Sequence, residues 1–141
     1  MQSILHRLPR FGSVMVLTLA IAYGTGCGEN ASQDKALRER HAKFINALFT
    51  EDFDACVTIT DPTVVQAKGA DTVKGVYQVL GGTIKAANLE AKDVRIDNTL
   101  FNNEFTAVQV RTSYRSQGQW QQQAPSQWIR RKGQWFLVPA I

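Results

Sequence analysis

The feature that most constrains this chain is a run of alternating side chains near its carboxyl-terminal end. The even positions are Val108, Val110, Thr112 and Tyr114, and the odd positions between them are polar or charged. Successive side chains of a β-strand point to opposite faces of a sheet, so this alternation predicts a strand with one buried face. The even positions are therefore expected to face the core.

The residues that follow continue the same sheet. Ser116 to Gly118 supplies a turn, and Gln119 to Ile129 predicts a return strand. That strand should bend at Pro125, because proline cannot donate a hydrogen bond to a neighbouring strand. Lys132 and Gly133 separate two β-rich runs, and glycine can adopt the positive φ that a tight turn needs. The sequence therefore predicts an antiparallel meander that closes in a hairpin.

A first helix is predicted from about Gln33 to Thr50, with Asn30 or Ser32 as its N-cap. Residues spaced by three or four positions lie on one face of a helix. That face contains Leu37, His41, Phe44, Ile45 and Leu48.

A short second helix is predicted after Asp52 and should end before Pro62, and Val64 and Val65 are expected to form a brief strand. A third helix follows Gly69, and Gly81 is expected to kink or fray it. Its predicted apolar face consists of Val73, Val76, Tyr77, Leu80 and Ile84.

One further strand is predicted before the meander. It should run from Leu89 to Ile96, with Val94 and Ile96 pointing inward. A turn-rich connection from Asn98 to Asn103 is expected to join it to the meander.

Residues 1–26 have the features of a signal peptide. Arg7 and Arg10 precede an apolar run from Ser13 to Tyr23. This run of about a dozen residues matches the apolar region of a signal peptide, whereas a membrane-spanning helix needs roughly 20. The chain is therefore predicted to be exported.

Two cleavage sites compete in this segment. Gly24-Thr25-Gly26-Cys27 resembles the lipobox of bacterial lipoproteins, although that family prefers leucine where Gly24 stands. This resemblance implies cleavage before Cys27, lipid on its thiol and a short tether over residues 27–32. Ala20-Ile21-Ala22 fits an ordinary signal peptidase, and an unmodified Cys27 could then form a disulfide with Cys56.

The resemblance to a lipobox also implies a location in the cell. Gly28 stands where an aspartate would retain a lipoprotein at the inner membrane, so the resemblance implies an outer-membrane anchor and a periplasmic domain. The membrane, reached through the lipid on Cys27, is thus one predicted partner.

The mature chain would have 115 residues, enough for one domain over residues 33–141. Two of the 16 lysines and arginines and none of the 12 acidic residues precede residue 27, so cleavage lowers the formal charge from +4 to +2. Such a small excess does not favour nucleic acid as a partner. The basic run Arg130-Arg131-Lys132 is predicted to be a solvated hairpin tip.

Helices followed by consecutive strands predict an α+β domain, with three helices on the concave face of a curved antiparallel sheet of about four to six strands. This order resembles the NTF2-like superfamily, in particular its bacterial SnoaL-like and DUF4440-like members. Asn46 to Asp61 is similar to their helix, acidic turn and short helix, Gly69 to Leu80 to their glycine, acid and helix segment, and Ser126 to Val138 to their closing aromatic hairpin. The fold hosts many activities, so the resemblance predicts the fold rather than a reaction.

The resemblance implies a cone-shaped pocket between the sheet and the first and third helices. The predicted lining residues are His41, Tyr77, Thr112, Tyr114 and Trp128. His41 is a candidate general base, and Asp61 or Tyr77 is a candidate to orient it. Structural interpretations compete for the same residues: a neutral buried histidine, core packing for Tyr77 and Trp128, and a helix-end acid for Asp61. Cys56 is predicted to be a buried thiol.

Three functions therefore remain open. The first is a non-catalytic envelope module, without metal or cofactor, that binds a small apolar ligand or a partner protein. The second is a small cofactor-independent enzyme of isomerase or hydrolase type that uses His41. The third is a scaffold that forms a homodimer through the sheet. A hollow beside His41 with a carboxylate in hydrogen-bond reach would favour the enzyme, and a filled core would favour the scaffold.

Overall fold

The computed structural model describes residues 19–141, with side chains from Gly28 onwards. Within this range the chain forms four α-helices, a 3₁₀ turn and five strands. In chain order they are α1 (Leu19–Phe49), α2 (Phe53–Ile59), α3 (Pro62–Lys68), α4 (Ala70–Ala86), the 3₁₀ turn (Ala91–Asp93), β1 (Val94–Phe101), β2 (Ala107–Ser116), β3 (Gln119–Gln122), β4 (Ser126–Arg131) and β5 (Gln134–Val138). The predicted α+β class with a curved antiparallel sheet is confirmed. Most of the predicted signal peptide lies outside the described residues.

The five strands form one sheet in the order β1-β2-β4-β5. β3 pairs with Ser113–Ser116 and β4 with Ala107–Val110, so both halves of the return strand lie along β2. The break between β3 and β4 contains Pro125. Proline has no backbone N–H to donate to a neighbouring strand, so a break was predicted at this residue. The terminal hairpin turns at Lys132 and Gly133, whose φ angles are 48° and 79°.

The core face of β2 is the predicted one. Val108 and Val110 are 2% and 0% exposed, whereas Gln109 and Arg111 are exposed. Ser113 departs from the alternation, since it is buried on the other face, where its hydroxyl donates to the carboxylate of Asp97. The pairing of β1 with β2 shifts between Ile96 and Asn98, so Asp97 lies in a bulge, and bulges redirect side chains.

The helices pack on the core face of the sheet and enclose one hydrophobic cluster. The apolar face of α1 lies there as predicted, with Leu37, Phe44 and Leu48 buried and Ile45 half-buried. The sheet contributes Trp128, Trp135 and Leu137, and α4 contributes Val73 and Tyr77.

α1 is longer than predicted. It includes Leu19, the first residue that the structure describes, and passes through Asn30 and Ser32, so neither residue is the N-cap. The segment between Cys27 and Gln33 contains no proline, and a single interior glycine costs only about 1 kcal/mol, so a helix can continue through it.

α3 occupies the place of the predicted brief strand. Val64 and Val65 are helical because Asp61 caps the helix and Pro62 occupies its first turn, where a missing N–H is not needed. The described residues therefore contain four α-helices, whereas three were predicted for the domain.

β1 lies further along the chain than predicted. It runs from Val94 to Phe101, so Asn98 to Phe101 is strand rather than turn. These residues pair with Val108–Arg111, and this pairing overrides the low strand propensity of asparagine. Val94 and Ile96 are half-buried and line the space beneath α1, in agreement with the predicted inward direction.

α4 runs through Gly81 without a break. Val73 and Tyr77 of the predicted apolar face are buried, but Val76 and Leu80 are 36% and 42% exposed and Gly81 is buried instead, so the inner face of α4 is shifted from the predicted one. The cause is close packing: a Cβ on Gly81 would lie 2.9 Å from a ring carbon of Phe53 in α2.

Candidate functional site

A pocket of about 310 Å³ lies between α1 and β1. Its aliphatic walls come from Ala42 and Ile45 of α1 and from Val94 and Ile96 of β1. Polar groups are supplied by Arg38, His41, Asn46 and Arg95. We call this space the α1–β1 pocket. Ala42 and Asn46 are exposed at its rim, and Ile45, Val94 and Ile96 are half-buried within it.

His41 is the one predicted site residue that lines the α1–β1 pocket. Its side chain is only 7% exposed, and its ring centroid lies 5.8 Å from that of Trp128. Burial, and secondarily the positive charge of Arg38, lower the pKa of His41 from 6.5 to about 4. The imidazole is therefore neutral at neutral pH.

Asp61 lies at a different place from His41. Its carboxylate accepts hydrogen bonds from the Arg131 guanidinium at 2.8 Å and the Thr63 hydroxyl at 2.6 Å, and it also caps α3 through the Thr63 amide. Burial alone would raise the pKa of Asp61, but the hydrogen bonds from Arg131 and Thr63 lower it below its usual value. Among the described residues, no hydrogen bond joins Asp61 to His41. The helix-end interpretation of Asp61 is the one that the structure supports, and the ion pair ties α3 to the terminal hairpin.

Tyr77 is part of the core. It is 2% exposed, and its hydroxyl shares a hydrogen bond with the hydroxyl of Thr60. Burial raises the pKa of Tyr77, so it remains a neutral phenol. The ring of Phe44 packs edge-on against both Tyr77 and Trp128, with centroid distances of 5.5 and 6.2 Å. These rings occupy the interior where the cone-shaped pocket was expected.

The other predicted lining residues do not meet at a common site. Trp128 is fully buried, and its indole N–H donates to the Ser126 hydroxyl. The Tyr114 hydroxyl donates to the exposed Gln121 side chain, and Thr112 is half-buried in β2. None of these three residues lines the α1–β1 pocket with His41, and the ring of Trp128 packs with Phe44 in the core instead.

The sequence held a partial signal for the residues that do line the pocket. Val94 and Ile96 were expected to point inward, and Ala42 and Asn46 are spaced by one helix turn beside the α1 apolar face. Which side of that face stays uncovered depends on where β1 lies, and a single helical pattern does not contain that information.

A second, more open concavity of about 660 Å³ lies at the start of α1. Asn30 and Ala31 form one side, and Leu100, Asn103 and Phe105 form the other. The Thr99 hydroxyl donates to Asp34 at 2.8 Å, which joins α1 to β1 there. We call this the β1–β2 groove.

Cys56 is a buried thiol, as predicted. It is 0% exposed, and burial raises its pKa to about 11. A thiol attacks as its thiolate, so Cys56 is not set up as a nucleophile. Within the described part of the chain, no group of three or more histidine, cysteine or acidic side chains could hold a metal ion. None of the helices that the structure describes is long and apolar enough to cross a membrane.

No protein-family model matches the chain, and no curated protein matches it. Among solved structures, a protein from Campylobacter jejuni named as an NTF2-like transpeptidase is similar over 72% of this chain and 97% of its own, with a TM-score of 0.56 and 15% sequence identity. This chain has an NTF2-like fold. A SEC-C motif containing protein from Rhodopseudomonas palustris is similar over 67% of this chain and 68% of its own, with a TM-score of 0.44 and 18% identity. At these identities the likeness concerns the fold alone.

Proposed function

We propose that this NTF2-like domain is a non-catalytic binding module of the cell envelope that holds a small, largely apolar molecule in the α1–β1 pocket. The observation that carries the proposal is the pocket itself, in which five aliphatic side chains form the walls and four polar ones, two of them arginines, are in reach of a ligand. Ligand sites in proteins commonly combine apolar walls with a small number of orienting polar groups.

The size and polarity of the pocket define the ligand class. A volume of about 310 Å³ is at the lower end of the range for ligand sites, so the ligand should be small. Because His41 is neutral, an apolar molecule can enter without removing water from a charged imidazole. Asn46 and Arg38 can orient a polar group of the ligand.

The same geometry disfavours the enzyme hypothesis. A general base works best with a pKa near the working pH and with a partner that orients it. The pKa of His41 is about 4, and Asp61 is held by Arg131 instead. The thiol of Cys56 is buried, and burial raises its pKa to about 11, so it does not offer an alternative nucleophile.

The envelope location is part of the proposal and is supported by the sequence. Residues 1–26 have the pattern of a signal peptide, and Gly24-Thr25-Gly26-Cys27 resembles a lipobox. We propose that cleavage before Cys27 and lipidation of its thiol hold the domain in the periplasm.

The test uses a tryptophan that fills the pocket and a matched one that does not. Ala42 lines the pocket, whereas Ala36 is an exposed alanine on the same helix outside it. In the unlipidated Cys27→Ser chain, Ala42→Trp should weaken binding of the probe 8-anilinonaphthalene-1-sulfonate at least tenfold, and Ala36→Trp should not. Native mass spectrometry should also show that a copurified molecule is lost only from Ala42→Trp. Equal binding by both variants, at equal melting temperatures, would contradict the proposal.

A further inference from the structure

The start of α1 lies beside the turn that joins β1 to β2. Asn30 and Ala31 face Leu100, Asn103 and Phe105 across the β1–β2 groove. The hydrogen bond from Thr99 to Asp34 fixes this side of α1 to β1. The amino-terminal end of the mature domain is therefore attached to one particular end of the sheet.

The chain between the proposed anchor and this end is very short. Cys27 precedes Asn30 by three residues, which span about 4.5 Å as helix and at most about 10 Å when extended. Lipid on Cys27 would thus keep Asn30, which faces the β1–β2 turn across the groove, within about 10 Å of the lipid surface. The opposite turn, Gln117–Gly118, lies beyond the ten residues of β2, about 33 Å away.

The surface of the near end has a composition suited to a membrane interface. Leu100 is 50% exposed, and the half-buried rings of Phe101 and Phe105 lie 5.7 Å apart beside it. Asn102 and Asn103 are exposed between them. Apolar side chains among neutral polar ones favour shallow insertion at the boundary of the headgroups and acyl chains.

Charges at this end are balanced. The Arg130 amide donates to the Thr106 carbonyl at 2.8 Å, which places the basic hairpin tip of Arg130 and Lys132 at the same end. The exposed side chains of Glu29 and Glu104 offset them. The contact should therefore depend little on anionic lipid.

We propose that the lipidated protein rests on the bilayer through the β1–β2 end, with Leu100 and Phe105 at the lipid surface and the Gln117–Gly118 turn pointing away. This inference rests on the lipid anchor at Cys27. Val94 and Ile96, which form the β1 walls of the α1–β1 pocket, pair with Tyr114 and Thr112 toward the far end of β2, so the pocket would lie away from the lipid surface in this orientation.

Two fluorescent labels test the orientation. Asn103→Cys and Gln119→Cys place exposed thiols at opposite ends of β2, in a Cys56→Ala background of the lipidated full chain. Each is labelled with bimane and reconstituted into phosphatidylcholine vesicles whose acyl chains carry bromine. The label at position 103 should be quenched at least twofold, and the label at 119 should be quenched by less than about a tenth.

The possible outcomes separate the inference from the anchor. Vesicle-bound protein with equal quenching at both positions, or stronger quenching at 119, overturns the orientation and leaves the anchor intact. Protein that does not float with vesicles and carries no lipid by mass spectrometry overturns the anchor and the orientation together. If quenching differs between positions 103 and 119 only when the vesicles contain phosphatidylglycerol, the contact depends on anionic lipid, and the proposed apolar contact is overturned. Probe binding to the unlipidated chain is measured separately, so the ligand proposal stands or falls by itself.

Discussion

At the scale of single residues, His41 shows how its surroundings decide what a histidine can do. The imidazole is enclosed by α1 and by the ring of Trp128, and the charge of Arg38 is nearby. Both burial and that charge disfavour the protonated form. The result is a neutral polar group at an apolar pocket, which suits orientation of a ligand better than proton transfer at neutral pH.

This environment makes stability depend on pH in a predictable direction. Because the folded-state pKa of about 4 lies below the unfolded value near 6.5, the unfolded chain binds a proton first as pH falls. The contribution to stability is complete above pH 6.5 and is lost between about pH 6.5 and 4, with a magnitude of the order of 3 kcal/mol. His41→Leu should remove this loss while changing stability at pH 7 by less than about 1.5 kcal/mol. Urea unfolding of the wild type and of His41→Leu at several pH values measures this difference in the free energy of unfolding.

A direct titration gives the control. The sequence has two histidines, His6 in the predicted signal peptide and His41, so a chain cleaved at either predicted site would have a single imidazole to follow by NMR. A midpoint near 6.5 would show that His41 is exposed to water. It would also reopen the enzyme hypothesis, since such a residue could act as a base.

At the scale of elements, the contact between α4 and α2 determines how α4 is oriented. Leu80 belongs to the apolar pattern of α4, yet it is 42% exposed, and its neighbour Gly81 faces Phe53 instead. A glycine has no side chain, so it lets the two helices approach closely and lets the Phe53 ring fill the gap. The closest approach of two elements can thus be set by a residue that contributes no apolar surface.

The adjacent glycines of α4 provide a matched pair for this conclusion. Gly81→Ala would place its Cβ 2.9 Å from the Phe53 ring, so we expect a destabilisation of about 1–2 kcal/mol from overpacking. A Cβ on Gly82 meets nothing within 4 Å, so Gly82→Ala should stabilise the helix by up to about 1 kcal/mol. Denaturant unfolding of both variants measures the difference. If Gly81→Ala and Gly82→Ala both stabilise the protein, α4 is not packed against Phe53 as described.

The elements that could be predicted are those whose structure is determined by a pattern of neighbouring residues in the sequence. Val108 and Val110 were placed by alternation, and the turn at Lys132 and Gly133 by the φ angles that glycine allows. Val64 and Val65 were misplaced because the cap from Asp61 outweighs the strand propensity of valine.

The candidate site was less predictable than the elements. A helical pattern shows that His41 lies on the inner face of α1, but not what covers it. Phe44, Tyr77 and Trp128 come from three different elements and fill the expected cone together. The α1–β1 pocket is what this packing leaves open, so it could be located only once the elements were assembled.

At the scale of the whole molecule, the position of the domain in the cell is proposed to depend on one thiol. Buried CH₂ groups contribute about 0.8 kcal/mol each, so the several acyl chains of a bacterial lipoprotein hold it stably where one chain would not. The tether from Cys27 to the β1–β2 groove is only three residues long. Such an anchor would therefore set both the location and the orientation of the domain.

Replacing each of the two cysteines tests the anchor. Cys27→Ser removes the atom that would carry the lipid, so the protein should appear in the soluble periplasmic fraction or accumulate as an uncleaved precursor. The wild-type protein should stay in the membrane fraction until detergent is added. Cys56→Ala is the matched control, since Cys56 is buried in the core and its loss should leave the protein in the membrane fraction. Wild-type protein that is soluble without detergent and begins at Tyr23 would show that Ala20-Ile21-Ala22 is the cleavage site and that Cys27 carries no lipid.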